Sequence, residues 1–209
     1  DNVIYVKGFE MRKGFTLVEL SIVLIIIGLI IGGVMKGKDL INSASQKKIY
    51  NTWIKQWQVQ VNAYQDRTGA VLGDGKNNGG KTTEDGRMDN VNLAKTKTVQ
   101  TKLAAIGLDV PVSNIAASNG GSYSIKGKYT TANVTAYLYY LRSNTNKTSR
   151  NCLYITGMPT DVAIAFDKIS DGQANSQTGD FRRYPDNKDK NGVWPDSQKT
   201  KTVNVSIEF

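Results

Sequence analysis

Residues 15–35 read FTLVELSIVLIIIGLIIGGVM, 21 positions whose only ionisable side chain is Glu19. No polar stripe interrupts them, so the pattern predicts a helix that is apolar all round, as in a membrane span. At 1.5 Å per residue the run reaches roughly 31 Å, the thickness of a bilayer core. Its fourteen Leu, Ile, Val and Phe side chains offset the cost of Glu19, which is about 2.5–3.5 kcal/mol at a span centre. A secretory signal peptide would be shorter and would end at a small-residue cleavage site. Here Gly32-Gly33-Val34-Met35-Lys36 follows, which is a poor one. A plain single-pass anchor leaves the Glu19 carboxylate without a partner.

After Gly37 the pattern becomes amphipathic. Ile41, Ser45, Ile49, Trp53, Trp57, Val61 and Tyr64 recur in steps of three or four, with Lys, Gln and Asn between them, which predicts a helix lying on a core. One helix over 15–66, stopped by Thr68-Gly69, is the economical reading. Residues 67–92 are rich in Gly, Asn and Asp and predict a long loop. A short helix is expected over 92–108, where Val99, Leu103 and Ile106 share a face before Gly107. Strands are expected over 122–130, 133–141, 151–155 and 203–207. Between the last two, Val162, Ala165, Phe166 and Ile169 follow Pro159 at helical spacing. The fold class is therefore α+β: a long N-terminal helix whose apolar half protrudes and whose amphipathic half packs on an antiparallel sheet. The expected divisions are 1–14, 15–35, 36–66 and a globular head over 67–209. Met11 is the natural start, since Asp1 is not an initiator.

Composition narrows the chemistry. The 209 residues contain no histidine, which excludes Ser-His-Asp, Cys-His and His-metal sites and argues against an enzyme. The single cysteine, Cys152, cannot form an internal disulfide and sits in an apolar strand pattern, a structural thiol. The formal charge of +9 is spread over separated lysines, which favours solubility over recognition of nucleic acid.

The segment Arg12-Lys13-Gly14-Phe15-Thr16-Leu17-Val18-Glu19-Leu20 resembles the cleavage site of type IV prepilins and of type II secretion pseudopilins. The resemblance implies cleavage between Gly14 and Phe15 by a prepilin peptidase, N-methylation of Phe15, and a leader comprising residues before Phe15. It implies that Glu19 neutralises the Phe15 ammonium of a neighbouring subunit, as pairing of two buried charges requires. It also implies a pilin-like fold, a helical homopolymer, an inner-membrane assembly platform, a cytoplasmic assembly ATPase and, in a Gram-negative envelope, an outer-membrane secretin. The precursor would lie in the inner membrane and the product in a cell-surface filament. Gly28, Gly32 and Gly33, with Gly37, each cost about 1 kcal/mol in a helix and mark a weak point. In filaments of this family that stretch can unwind, although the proline that often follows is missing here. A secretion pseudopilin, confined to the periplasm, and a DNA-uptake or adhesive minor pilin are the alternatives. The last is prompted by Arg182-Arg183-Tyr184. The stretch Ala165–Gly172, with Thr178-Gly179, loosely resembles part of many pilin-like heads.

Asn187, Asp189 and Asn191, placed alternately before Gly192 with Asp196 beyond, follow the layout of a loop around a hard cation, calcium being the natural one. Gln198 stands where a bidentate glutamate is wanted, and Lys188 and Lys190 oppose binding. An Asx-rich turn without metal is preferred. Some pseudopilins hold calcium in a late loop, which keeps the alternative open.

Overall fold

The computed structural model describes residues 14–142, 149–185 and 192–209. The chain divides into two units, Asp1–Ala44 and Ser45–Phe209. In the first, helix α1 (Leu17–Ile49) begins, and none of its residues is buried. Helical backbone runs on through a π-helical turn, Tyr50–Ile54, into α2 (Lys55–Thr68). The whole spans 52 residues and is the one helix among the described residues long and apolar enough to cross a membrane. It stops where the pattern placed the stop: Gly69 takes φ 71° and its N–H donates to the Gln65 carbonyl at 2.8 Å, a left-handed cap that glycine adopts without strain.

The π turn alters which face is buried. A wider turn carries one extra residue, so Tyr50 and Ile54 join Trp53, Trp57, Val61 and Tyr64 in the core. The expected stripe is corrected at its start: Ile41 is 71% exposed and Ser45 is exposed. These two continue the spacing, but packing begins only at Ile49 and Tyr50.

The second unit holds a six-stranded antiparallel sheet built from β1 (Val91–Asn92), β2 (Ser122–Lys126), β3 (Thr131–Arg142), β4 (Ser149–Pro159), β5 (Phe181–Tyr184) and β6 (Thr202–Glu208). The strand order is β1-β3-β4-β6-β5, with β2 also pairing with β3. Alternation along β3 sends Val134, Ala136 and Leu138 inward while Thr135, Tyr137 and Tyr139 stay half-exposed. The inward set meets Trp53, Trp57, Ile155, Phe166, Phe181 and Ile207 in one core. Each large side chain so buried contributes roughly 1.5–3 kcal/mol. Trp53 and Trp57 both donate their indole N–H to the Gly120 carbonyl, at 2.8 and 3.0 Å, tying helix to loop.

Helices α3 (Thr98–Ala105) and α4 (Thr160–Asp171) complete the unit. Helix α3 is shorter than the expected 92–108. Asn92 Oδ1 accepts the N–H groups of Ala94 and Lys95, at 2.9 and 3.1 Å, forming a turn that competes with helix. The strand expected over 122–130 ends at Lys126, where Gly127 N–H closes a turn on the Thr130 carbonyl at 2.8 Å. Strand β4 runs four residues beyond 155 because Gly157, at φ 74°, accommodates a bulge between Ile155 and Met158. Strand β5 was not expected.

Candidate assembly site

The apolar helix carries its polar chemistry at its start. Thr16 precedes the first helical residue, and its side-chain oxygen accepts the Glu19 N–H at 3.2 Å. In return Glu19 Oε2 accepts the Thr16 N–H at 2.8 Å and the Thr16 hydroxyl at 2.9 Å. This is a reciprocal capping box, in which two orphan donors of the helix end are satisfied by side chains three residues apart. The arrangement fixes Glu19 close to the chain start and leaves Oε1 without a hydrogen bond in the described structure. A carboxylate at a helix N-terminus also meets the positive end of the helix dipole. Thr16 was not singled out from sequence, although its T-x-x-E spacing to Glu19 is the signal that identifies it.

Phe15 stands 92% exposed just before the helix. With Glu19, Leu20, Ile22 and Val23 it lines a shallow concavity on the helix surface. Phe15, one of the predicted cleavage residues, thus shares this concavity with the predicted assembly residue Glu19. Farther along, Leu24, Ile25, Leu29 and Ile30 are each at least 60% exposed, so the unit offers a large apolar surface that none of the described residues covers. Gly28, Gly32 and Gly33 remain helical, and a Cβ placed on any of them would meet nothing within 4 Å. Among the described residues nothing requires glycine there. Small residues on an apolar helix allow a neighbouring helix to approach closely.

Asn187, Asp189 and Asn191 lie outside the described residues. Asp196 is used locally: its Oδ1 accepts the Gln198 N–H at 2.8 Å and its carbonyl accepts the N–H groups of Lys199 and Thr200, at 3.2 and 2.8 Å. Among the described residues no three acidic or thiol groups converge on a possible ion.

The basic-aromatic grouping Arg182-Arg183-Tyr184 is strand β5. Arg182 and Arg150 both reach Glu208 Oε2 at 3.5 Å. The Tyr184 ring packs against Tyr154 and Tyr139, at 5.1 and 6.2 Å between centroids. A grouping read from sequence as a candidate DNA contact is thus engaged in holding the sheet edge. Cys152 is buried, and burial pushes its thiol up to about 12, with Glu208 adding to the rise and Arg150 opposing it. It is an inert structural thiol.

No curated protein matches the chain, and no solved structure does. Over residues 11–35 the chain matches the prokaryotic N-terminal methylation motif, the prepilin-type motif of type IV pilins and pseudopilins.

Proposed function

We propose that this chain is a structural subunit of a type IV pilus-like filament. The carrying observation is the matched motif followed by an apolar helix that none of the described residues covers. In this reading a prepilin peptidase cuts between Gly14 and Phe15, and the new Phe15 amine is methylated. The residues before the cut form the leader, 15–35 the membrane and assembly segment, 36–66 its continuation, and 67–209 the head. The helix holds the precursor in the inner membrane until an assembly platform, driven by a cytoplasmic ATPase, moves it into the filament, through a secretin where an outer membrane exists.

Cohesion then comes from packing of α1 against other copies. Glu19 selects the register, because a shifted neighbour would leave a carboxylate and an ammonium buried apart. The capping box holds Glu19 with one oxygen turned to Thr16 and the other available to the neighbour's Phe15 ammonium. Gly28, Gly32 and Gly33 provide the close approach and the point at which the helix yields when stretched.

The test is mass spectrometry of the N-terminal peptide from filaments sheared off cells, with Glu19→Gln as the comparison. Methylated Phe15 as first residue in wild-type filaments is expected. Glu19→Gln retains an oxygen for the Thr16 cap but no charge, so it should be processed yet absent from filaments. Processed chain found only in the envelope would assign the chain to a secretion pseudopilus instead. An uncut leader in mature protein would overturn the reading.

A further inference from the structure

One carboxylate in the second unit is buried with half of its hydrogen bonding missing. Asp167, in the second half of α4, has no exposed surface. Its Oδ2 accepts the Asn175 N–H and the Trp194 indole N–H, both at 2.7 Å, while Oδ1 finds no donor. Four residues on, Asp171 stands on the same face of α4, next to Asp167 at the i,i+4 spacing. Asp171 is itself held in place by the N–H groups of Asp180 and Phe181, each at 3.1 Å. Two ionised carboxylates only accept, so facing one another they repel and leave Oδ1 unsatisfied. One proton between them turns the contact into an O–H···O hydrogen bond and resolves both faults.

The pair anchors two stretches of chain that have little other regular structure. Asn175 belongs to the loop from Gly172 to Asp180, and its Oδ1 accepts the N–H groups of Gln177 and Thr178 at 3.0 and 3.2 Å. Ser176 N–H reaches the Gly192 carbonyl at 2.9 Å, and Trp194 stacks at 6.3 Å on Phe181. Asp167 is where these stretches meet α4. The other titratable groups facing the pair among the described residues are few. Asp180 adds negative charge beyond Asp171. Tyr50, from the π turn, has its phenol pushed up by burial first and then by Asp171 and Asp180. Arg182, from β5, feels Asp180 and Asp171 but is spent on Glu208.

We propose that Asp167 and Asp171 share one proton and so form a pH-responsive latch, which clamps the 172–180 loop and the Trp194 segment onto α4 in acid and slackens when the proton leaves. Burial pushes the Asp167 carboxyl up to about 6; the Trp194 and Asn175 donors oppose this and Asp171 adds to it. The unfolded value is about 3.9. Since the folded pKa is raised, the folded state holds the proton longer. The contribution is fully present below the unfolded value and is lost as pH rises through about 6. A gap of about two pKa units corresponds to a change of roughly 100-fold in the local folding equilibrium.

The experiment uses the full chain in detergent, with hydrogen exchange of the amides of residues 172–181 followed from pH 4.5 to 7.5 and corrected for intrinsic rates. Wild-type protection should fall from pH 4.5 to a little above 6 and level off beyond it. Asp167→Asn supplies a permanent donor to Asp171 and keeps an oxygen for Asn175 and Trp194. Its protection should stay flat and exceed that of wild type at pH 7.5 by 10-fold or more. Parallel curves for the two proteins would overturn the latch. So would millimolar calcium restoring wild-type protection at pH 7.5 while leaving the variant unchanged, since a cation would then occupy the proton's place. Should the variant misfold, carbon NMR of labelled aspartate carboxyls in wild type decides. A carboxyl step near pH 6 at Asp167 supports the latch, and all aspartates titrating below pH 4.5 refute it.

Discussion

Asp89 gives the sharpest test of how the long loop after α2 is held. Its Oδ2 accepts three backbone N–H groups, from Gly75 at 3.0 Å, Lys81 at 2.7 Å and Thr82 at 2.8 Å, and its Oδ1 accepts the Thr82 hydroxyl at 2.5 Å. One carboxylate thus closes the 75–82 loop. A side chain at Gly80 would collide with Asp89 Oδ2. Hydrogen bonds to an ionised group are worth about 1.5–3 kcal/mol each when buried, and water replaces part of that at the rim. Asp89 is only half-buried, so Asp89→Ala should cost roughly 3 kcal/mol in total and Asp89→Asn, which keeps an oxygen without the charge, about half as much. Burial works against the charged form here, but the Thr82, Lys81 and Gly75 donors outweigh it and hold the carboxyl below its ordinary value. With the folded pKa lowered, the contribution is present above about pH 3.9 and is lost as pH falls through the folded value. This is opposite in sign to Asp167. The assay is urea unfolding of the full chain in detergent, followed by tryptophan fluorescence at pH 7 and pH 3.5. The gap between wild type and Asp89→Ala should shrink at the lower pH. An alanine variant within about 0.5 kcal/mol of wild type at pH 7 would refute the reasoning, because such a change is ordinary for surface substitutions.

Two further outcomes follow from the core. Trp57→Phe keeps most of the apolar contact but removes the 3.0 Å indole bond to the Gly120 carbonyl, which Trp53 still satisfies at 2.8 Å. The expected cost is about 1–2 kcal/mol in the same unfolding assay. Trp53→Phe made in the Trp57→Phe background should cost more than either single change, because the carbonyl then loses its last indole donor. Cys152, with its thiol raised to about 12 by burial, should resist a thiol reagent at pH 8 in folded protein. It should react fully on unfolding, as followed by mass shift.

What the sequence disclosed and what it hid divide by range. The apolar run and the Thr68-Gly69 stop depend on neighbours within a few residues, and both stand where composition and spacing put them. The alternating strands β3, β4 and β6 were found for the same reason, since a half-buried strand writes its period into the chain. Strand β5 was missed because Arg182 and Arg183 fill half of its four positions. Their long side chains serve a sheet edge, where Glu208 of β6 pairs with Arg182, and that partner lies 26 residues away. The π turn was missed because one extra residue in a helix leaves no mark when Tyr50, Trp53, Ile54 and Trp57 are all suited to a core. The alternating spacing from Ile41 misled for the converse reason: helical periodicity continues into a stretch that α1 leaves exposed.

The candidate site shows the same division on a smaller scale. Glu19 was visible as the only charge in an apolar run, and Thr16 was available through T-x-x-E. The carboxylates that hold the second unit were not visible. Asp89 closes a loop through donors 7 to 14 residues away, and Asp167 reaches Trp194 across 27 residues. An i,i+4 pair such as Asp167 and Asp171 reads in sequence as two solvated charges on one helix face. Only the folded packing that buries Asp167 completely, with the Trp194 indole against it, removes the water that would have kept that carboxyl ionised. The chemistry of that pair is therefore a property of the fold, which is why a change at Trp194 should alter the titration of Asp167 without touching either carboxylate. Trp194→Phe keeps the apolar cover and removes the N–H that stabilises the charged form. It should move the shared titration upward, and a downward move would show that water enters and that cover, not the indole donor, controls the proton.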